Sequence, residues 1–159
     1  MKLRVGQGFD FHPLRTGRAL ILAGVAVPFP LGLSGHSDAD VATHALANAI
    51  LGALGEGDLG RHFSDQDPRY QGADSIGLLK QVWTLARDRG WRLANADLTI
   101  FAQAPRLAPY VSAMRARLAD AVSVEPALVN VKVSSPEAMG ALGRGEGMAA
   151  AAVVLLEAS

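Results

Sequence analysis

The hydrophobic period of this chain switches repeatedly between strand and helix values, and the order of those switches limits the folds open to it. Leu3 and Val5 alternate with polar neighbours before Gly6-Gln7-Gly8, which predicts a first strand that stops there. Leu20 to Val27 reads as a second extended segment with a turn at Ala23-Gly24, ended by Pro28 and Pro30. Val41, Ala45, Leu46, Ala49, Ile50 and Ala53 then recur at helical spacing up to Gly55, with Ser37 as N-cap and Asp40 three residues on. A second stripe, Ile76, Leu79, Trp83 and Ala86, follows Asp74 and Ser75 and ends at Gly90, and Val111, Met114, Leu118 and Ala121 form a third. Leu98, Ile100 and Ala102 alternate in a strand that breaks at Pro105; Val129, Val131 and Val133 mark another, and Met148 to Leu156 is a last strand, apolar on both faces. This order predicts an α/β (α+β) architecture in which a single mixed β-sheet is covered by helices on one side. The polar, glycine-rich stretch from Gly55 to Pro68 is expected to be a long ordered loop of the kind that carries function.

With 159 residues, half of them hydrophobic, and no linker or repeat, the chain is expected to form one domain, 1–159. Fifteen basic and fifteen acidic residues cancel, so no global field draws it to nucleic acid or an anionic membrane. Any anionic ligand must be held locally. The absence of cysteine removes disulfides and thiolate metal ligands together and fits a reducing compartment. No apolar stretch approaches the ~20 residues of a membrane span, and no signal core opens the chain, so a cytoplasmic protein is expected.

Three of the four histidines lie beside acidic residues. Asp10 and His12, two apart in an extended segment, point to one face and can reach one metal, while Phe11 points the other way, into the core. His44 would arrive from the helix, four residues after Asp40 on the same face. Two imidazoles and a carboxylate leave one tetrahedral position open, as in catalytic zinc sites. Any one histidine could instead be a hydrogen-bonded core or surface residue. The same ligand set serves non-haem Fe(II) oxygenases, against which three helical stripes argue, and a structural zinc would need a fourth protein ligand, for which Asp40 is the candidate. His36 and Ser37 sit at the expected helix N-terminus, where a phosphate is favoured. Lys132, Ser134, Ser135 and Glu137 form a second polar group after a strand, where serines can hold phosphate oxygens and Glu137 a Mg²⁺ on a diphosphate. Gly143-Arg144-Gly145-Glu146-Gly147 lacks P-loop spacing, and Arg144 could pair with Glu146 or with a neighbouring subunit. His62 stands alone and reads as a solvated residue.

The motifs occur in a recognisable order: Arg4-Val5-Gly6-Gln7-Gly8-Phe9-Asp10-Phe11-His12, His36-Ser37-Asp38-Ala39-Asp40-Val41 with His44-Ala45, Gly57-Asp58-Leu59-Gly60, Phe63-Ser64-Asp65-Gln66-Asp67-Pro68, Ala102-Gln103-Ala104-Pro105-Arg106, Asn130-Val131-Lys132, and Gly143-Arg144-Gly145-Glu146-Gly147. On these residues the chain resembles the 2-C-methyl-D-erythritol 2,4-cyclodiphosphate synthase family, essentially end to end. The resemblance implies a homotrimer with active sites between subunits, turning a cytidine-diphosphate-linked methylerythritol 2-phosphate into the cyclic diphosphate with release of CMP. It implies that Asp10, His12 and His44 hold zinc or another divalent metal, and that Glu137 holds Mg²⁺ or Mn²⁺. His36 and Ser37 would take the β-phosphate, and Asp58 and Gly60 the methylerythritol hydroxyls, with Phe63, Asp65, Asp67 and Arg144 also in the substrate set. Ala102, Ala104, Pro105, Arg106, Leu107 and Ala108 would face the cytidine side with Ser134 and Ser135, and His36 and Ser135 would stabilise the transition state. The chain departs from the family pattern where Ala39 replaces glycine, Asn48 aspartate, Pro136 threonine, Arg106 a common lysine, and Ala141-Leu142 a Phe-Thr pair.

Overall fold

The structure is a computed structural model that describes residues 2–159. Its elements are β1 (Leu3–Arg15), β2 (Leu20–Leu22), β3 (Val25–Val27), β4 (Gly32–Leu33), α1 (Val41–Leu54), α2 (Leu59–His62), α3 (Ser75–Asp88), β5 (Trp91–Phe101), α4 (Val111–Ala121), β6 (Val129–Ser134), α5 (Gly140–Gly143) and β7 (Gly147–Ala158). Five strands form one sheet in the order β4-β1-β7-β5-β6, and β2 pairs with β3 in a separate hairpin. Neighbours in the sheet are antiparallel except for β5 and β6, which run parallel, so the sheet is mixed. Helix α1 lies across β1 and β7, α3 packs beside it, and α4 lies over β6, all on one face. No helix among the described residues is long and apolar enough to cross a membrane.

The first strand does not stop at Gly6. It runs on to Arg15, because its glycines are the surface on which α1 rests rather than a break in the strand. A Cβ on Gly6 would lie 2.0 Å from the Ala49 carbonyl oxygen and one on Gly8 would lie 2.1 Å from that of Ala45. Ala45, Ala49 and Ala53, one turn apart, form the matching face of α1. Glycine weakens a strand in isolation, but here it permits backbone contact between helix and sheet.

The helix starts later than expected. Asp40 rather than Ser37 is its N-cap, and α1 ends at Gly55, which takes the left-handed conformation at φ 75°. The Asp40 carboxylate accepts from the Thr43 N–H and hydroxyl and from the N–H groups of Ala23 and Gly24, so one fully buried side chain ties α1 to the β2–β3 turn. That turn has positive φ at both Ala23 and Gly24, as a two-residue hairpin of the mirror-image type requires. The 55–68 stretch also differs from the expected loop: Asp58 caps the short helix α2, and a 3₁₀ turn begins at Pro68.

Helices α1, α3 and α4 leave the opposite face of the sheet uncovered, and only the four-residue α5 comes near it, beside Phe11. Phe11 lies there, 66% exposed instead of in the core, with Leu3, Val5 and Phe9 on the same strand and Val153 on β7 also exposed. Strand β7 is therefore apolar on both faces, but only Met148, Ala150, Ala152, Val154 and Leu156 contribute to the buried core along with Ala149 at its end.

The helix–strand crossing leads to a paired prediction. Gly8→Ala is expected to lower unfolding free energy by about 2–3 kcal/mol through overpacking. Gly52→Ala, with only the Gln7 carbonyl oxygen at 3.5 Å from its new Cβ, should raise it by up to about 1 kcal/mol through helix propensity. Urea unfolding measures both, and a neutral Gly8→Ala would contradict the close crossing.

Candidate active site

Gly6, Gly8, Asp10 and His12 alternate along β1 and all face α1, so the two small residues set the distance at which the two polar ones meet the helix. His44 sits in the first turn of α1, its N–H bonded to the Asp40 carbonyl at 3.0 Å. Its side chain meets Asp10 and His12: Asp10 Oδ2 is 2.8 Å from His12 Nε2 and 2.9 Å from His44 Nδ1, and the two nitrogens are 3.3 Å apart. These three residues are the one group of metal-ligating side chains found close enough to share an ion among the described residues.

The position of the protons follows from the outer partners. His12 Nδ1 donates to the Ser34 carbonyl at 3.0 Å, which leaves Nε2 of the neutral ring with a bare lone pair. Ser75 donates its hydroxyl proton to the Asp38 carboxylate and therefore accepts from His44 Nε2 at 2.7 Å, which leaves His44 Nδ1 bare as well. Carboxylate oxygen and both ring nitrogens then point lone pairs at one another, an arrangement that requires a cation between them. A divalent metal fits this donor set. A proton is the competing cation. With a proton between them, burial opposes the charge on Asp10, but hydrogen bonds and attraction from His12 and His44 outweigh it and hold its pKa at about 2. Burial likewise disfavours the His12 cation, yet the Asp10 hydrogen bond and charge raise its pKa above the usual imidazole value.

The cluster opens into a cavity of about 550 Å³. Of the residues expected at the site, His36, Ser37, Asp58, Gly60, Phe63 and Asp65 line this cavity along with the three metal-ligating side chains. His36 Nε2 donates to the Asp67 carbonyl at 3.1 Å, so Asp67 enters through its backbone while its carboxylate caps the 3₁₀ turn and pairs with Arg69. Ala102, Ala104, Pro105, Arg106, Leu107, Ala108, Ser134, Ser135, Glu137 and Arg144 do not line it. Most of these sit where the parallel strands β5 and β6 end side by side: the Ala102 N–H reaches the Ser134 carbonyl at 3.2 Å, and the Ala138 N–H reaches Gln103 Oε1 at 2.9 Å. The carboxyl ends of adjacent parallel strands are a usual place for ligand contacts. Glu137 is exposed there, and Arg144 pairs with Glu146 of its own chain.

Three readings of individual residues need correction. Asp40 cannot be a fourth metal ligand, because its oxygens are occupied by the Ala23, Gly24 and Thr43 donors; the closed structural zinc that required it is therefore excluded. The α1 N-terminus lies at Asp40, three residues beyond Ser37, and the Asp40 side chain takes the Thr43 N–H there. His62 is partly buried and bonded to the Glu56 carbonyl at 2.9 Å. Several contributors carry no site role in the sequence reading, although Ala39 and Asn48 are noted there as departures from the family pattern. Gly35 leaves room for the His12 ring, since a Cβ there would lie 2.9 Å from its Cε1. Asn48 accepts from the Leu59 N–H at 2.9 Å, holding α2 and Asp58 at the cavity. Ser75 had signalled only a helix start. Ala39 stands at φ 57°, which explains why glycine is usual at that position.

A model of the YgbB family matches residues 3–157. The chain is 58% identical over 156 residues to the 2-C-methyl-D-erythritol 2,4-cyclodiphosphate synthase of Geobacillus kaustophilus, covering 98% of this chain and 99% of that one. It is 54% identical to the enzyme of the same name from Halalkalibacterium halodurans, over 97% of this chain and 98% of that one. Among solved structures, it superposes on the bifunctional IspDF from Campylobacter jejuni with TM-score 0.96 and 39% identity, covering 99% of this chain and 43% of that longer one. A 2C-methyl-D-erythritol-2,4-cyclodiphosphate synthase described as a CDP-bound form matches with TM-score 0.89 and 36% identity over 97% of this chain and 100% of that one. With its fold, its Asp10-His12-His44 cluster and these matches in agreement, the chain belongs to the YgbB family of 2-C-methyl-D-erythritol 2,4-cyclodiphosphate synthases.

Proposed function

We propose that this protein is a cytoplasmic phosphorus–oxygen lyase of non-mevalonate isoprenoid biosynthesis. It converts 4-diphosphocytidyl-2-C-methyl-D-erythritol 2-phosphate to 2-C-methyl-D-erythritol 2,4-cyclodiphosphate and CMP. The observation that carries this reading is the set of three lone pairs on Asp10, His12 and His44 opening into a cavity beside His36, Ser37 and Asp58. A 2-phosphate oxygen attacks the β-phosphorus of the same molecule. The bond from that phosphorus to the oxygen bridging the α-phosphate breaks, and CMP leaves with the bridging oxygen. No side-chain nucleophile is needed, so positioning and charge neutralisation do most of the work.

When bound, zinc or another divalent ion at Asp10, His12 and His44 and Mg²⁺ or Mn²⁺ at Glu137 would supply positive charge to the diphosphate oxygens. A single exposed carboxylate suits Mg²⁺, which keeps several waters and takes further ligands from substrate phosphates. His36, with Nε2 anchored on the Asp67 carbonyl, lines the space that the phosphate would enter. The Ser37 hydroxyl and the α2 start at Asp58 and Gly60 border the same space and hold the phosphate and sugar ends. Ala102 to Ala108, Ser134 and Ser135 take the cytidine side, with Ser135 steadying the leaving group, and Arg144 completes the substrate set.

The metal-ligating cluster and the β5–β6 end do not line a common cavity within one chain, which supports an active site completed by a neighbouring subunit. The uncovered face bearing Leu3, Val5, Phe9 and Phe11 supports a homotrimer, since a monomer would leave this apolar surface in water.

His44→Ala should abolish tight zinc binding and CMP release while the helix stays formed; full zinc occupancy with normal turnover would refute the site. Glu137→Gln should retain zinc and raise the Mg²⁺ concentration needed for half-maximal turnover, measured by CMP release over a magnesium series. Mixing inactive His44→Ala and Ser135→Ala proteins should restore partial activity at interfaces that receive both intact halves, and an active monomer in sedimentation would rule this out. Zinc affinity should also depend on pH. His12, with its pKa raised, takes a proton as pH falls through that pKa, whereas Asp10, at about 2, stays ionised. Affinity should therefore be flat above the His12 pKa and drop about tenfold per pH unit below it, read by chelator competition.

A further inference from the structure

We infer that Asp38 and Ser75, which take no part in binding the substrate or the metal directly, are positioning residues that fix the tautomer and ring angle of His44 and thereby set metal affinity. This rests on the metal reading of Asp10, His12 and His44. The two residues come from different parts of the chain: Asp38 from the segment before α1, and Ser75 from the first position of α3. The Asp38 carboxylate accepts twice from Ser75, from its N–H at 3.1 Å and from its hydroxyl, and once from the Asp40 N–H at 3.2 Å. Two oxygens of a carboxylate cannot donate, so the Ser75 hydroxyl proton is committed to Asp38. Ser75 Oγ is then left only its lone pairs for His44 Nε2, 2.7 Å away, and that nitrogen must carry the ring proton.

The direction of this relay matters. In the other neutral tautomer His44 would hold its proton on Nδ1, where it would donate to Asp10 and occupy the space of the ion. The Asp38–Ser75 pair disfavours that tautomer and aims the Nδ1 lone pair at Asp10 and His12. Ser75 is 1% exposed, so water does not replace its hydroxyl. Ser37 Oγ lies farther from His44 Nε2, at 3.1 Å, and is a weaker substitute that already accepts from the Ala39 N–H at 3.2 Å. His12 needs no such device, because its outer partner is the Ser34 carbonyl, which can only accept. Outer partners of metal-bound histidines typically govern about 10–100-fold in affinity.

The test is zinc affinity by chelator competition for the wild-type chain, Ser75→Ala, Ser75→Thr and Asp38→Asn, with thermal unfolding of the metal-free forms and CMP release at low and excess zinc. Ser75→Ala should bind zinc about tenfold more weakly or worse, Asp38→Asn should weaken it in the same direction, and Ser75→Thr, which keeps the hydroxyl, should stay closer to wild type. Activity lost by Ser75→Ala should return when zinc is in excess. Lower metal-free stability with unchanged zinc affinity would mean that the pair only ties α3 to the α1 entry, and would overturn the inference. If Ser75→Ala does not fold, the isosteric Asp38→Asn decides: weaker zinc binding supports the relay, and wild-type affinity overturns it. A wild-type chain that binds no zinc would instead overturn the metal reading itself, and the inference with it.

Discussion

The contact of α1 with β1, backbone against backbone, is the constraint on which the site depends. Cβ atoms at Gly6 or Gly8 would come within about 2 Å of helix carbonyl oxygens, so only glycine permits this approach. The same alternation that turns Gly6 and Gly8 toward the helix turns Asp10 and His12 toward it too, and His44 occupies the turn of α1 nearest to them. A larger residue in place of either glycine would lift the helix and separate His44 from its partners. Fold and chemistry therefore share one interface, and a stability defect there would also be a metal-binding defect.

A second layer of polar contacts fixes what the glycines bring close. Asp40 holds the start of α1 against the β2–β3 turn, Asp38 ties the same segment to α3, and Asn48 fastens α2 to the middle of the helix. Each uses an acceptor-only oxygen to engage backbone N–H groups that loops would otherwise leave unpaired. Together these contacts brace the walls of an open cavity.

Much of this was legible in the sequence. The helical stripes of α1, α3 and α4 and the alternation in β5 and β6 appear in the structure because each buries one face against the same core. Asp10, His12 and His44 could be grouped from strand periodicity and helical placement, and they do converge. What failed was non-local. Gly6-Gln7-Gly8 reads as a stop by propensity, and only the packed helix reveals it as a contact surface. Phe11 reads as core because an aromatic residue opposite a polar face is usually buried, whereas here α1, α3 and α4 all pack on the other face and leave it 66% exposed. Ser37 and Asp40 are both good caps, and the choice between them was made by the β2–β3 turn donors. Ser75, 37 residues from Asp38 in sequence, carries no local mark of its contact with His44.

Cyclisation is expected to depend on a metal held by the three lone pairs of Asp10, His12 and His44. Titrating zinc into metal-stripped protein at saturating Mg²⁺ while following CMP release from the cytidine-linked substrate tests it most directly. Activity should rise from near zero in proportion to bound zinc and level off at one equivalent per chain. Full activity in the metal-stripped protein, or zinc binding at one equivalent with no CMP release, would contradict it.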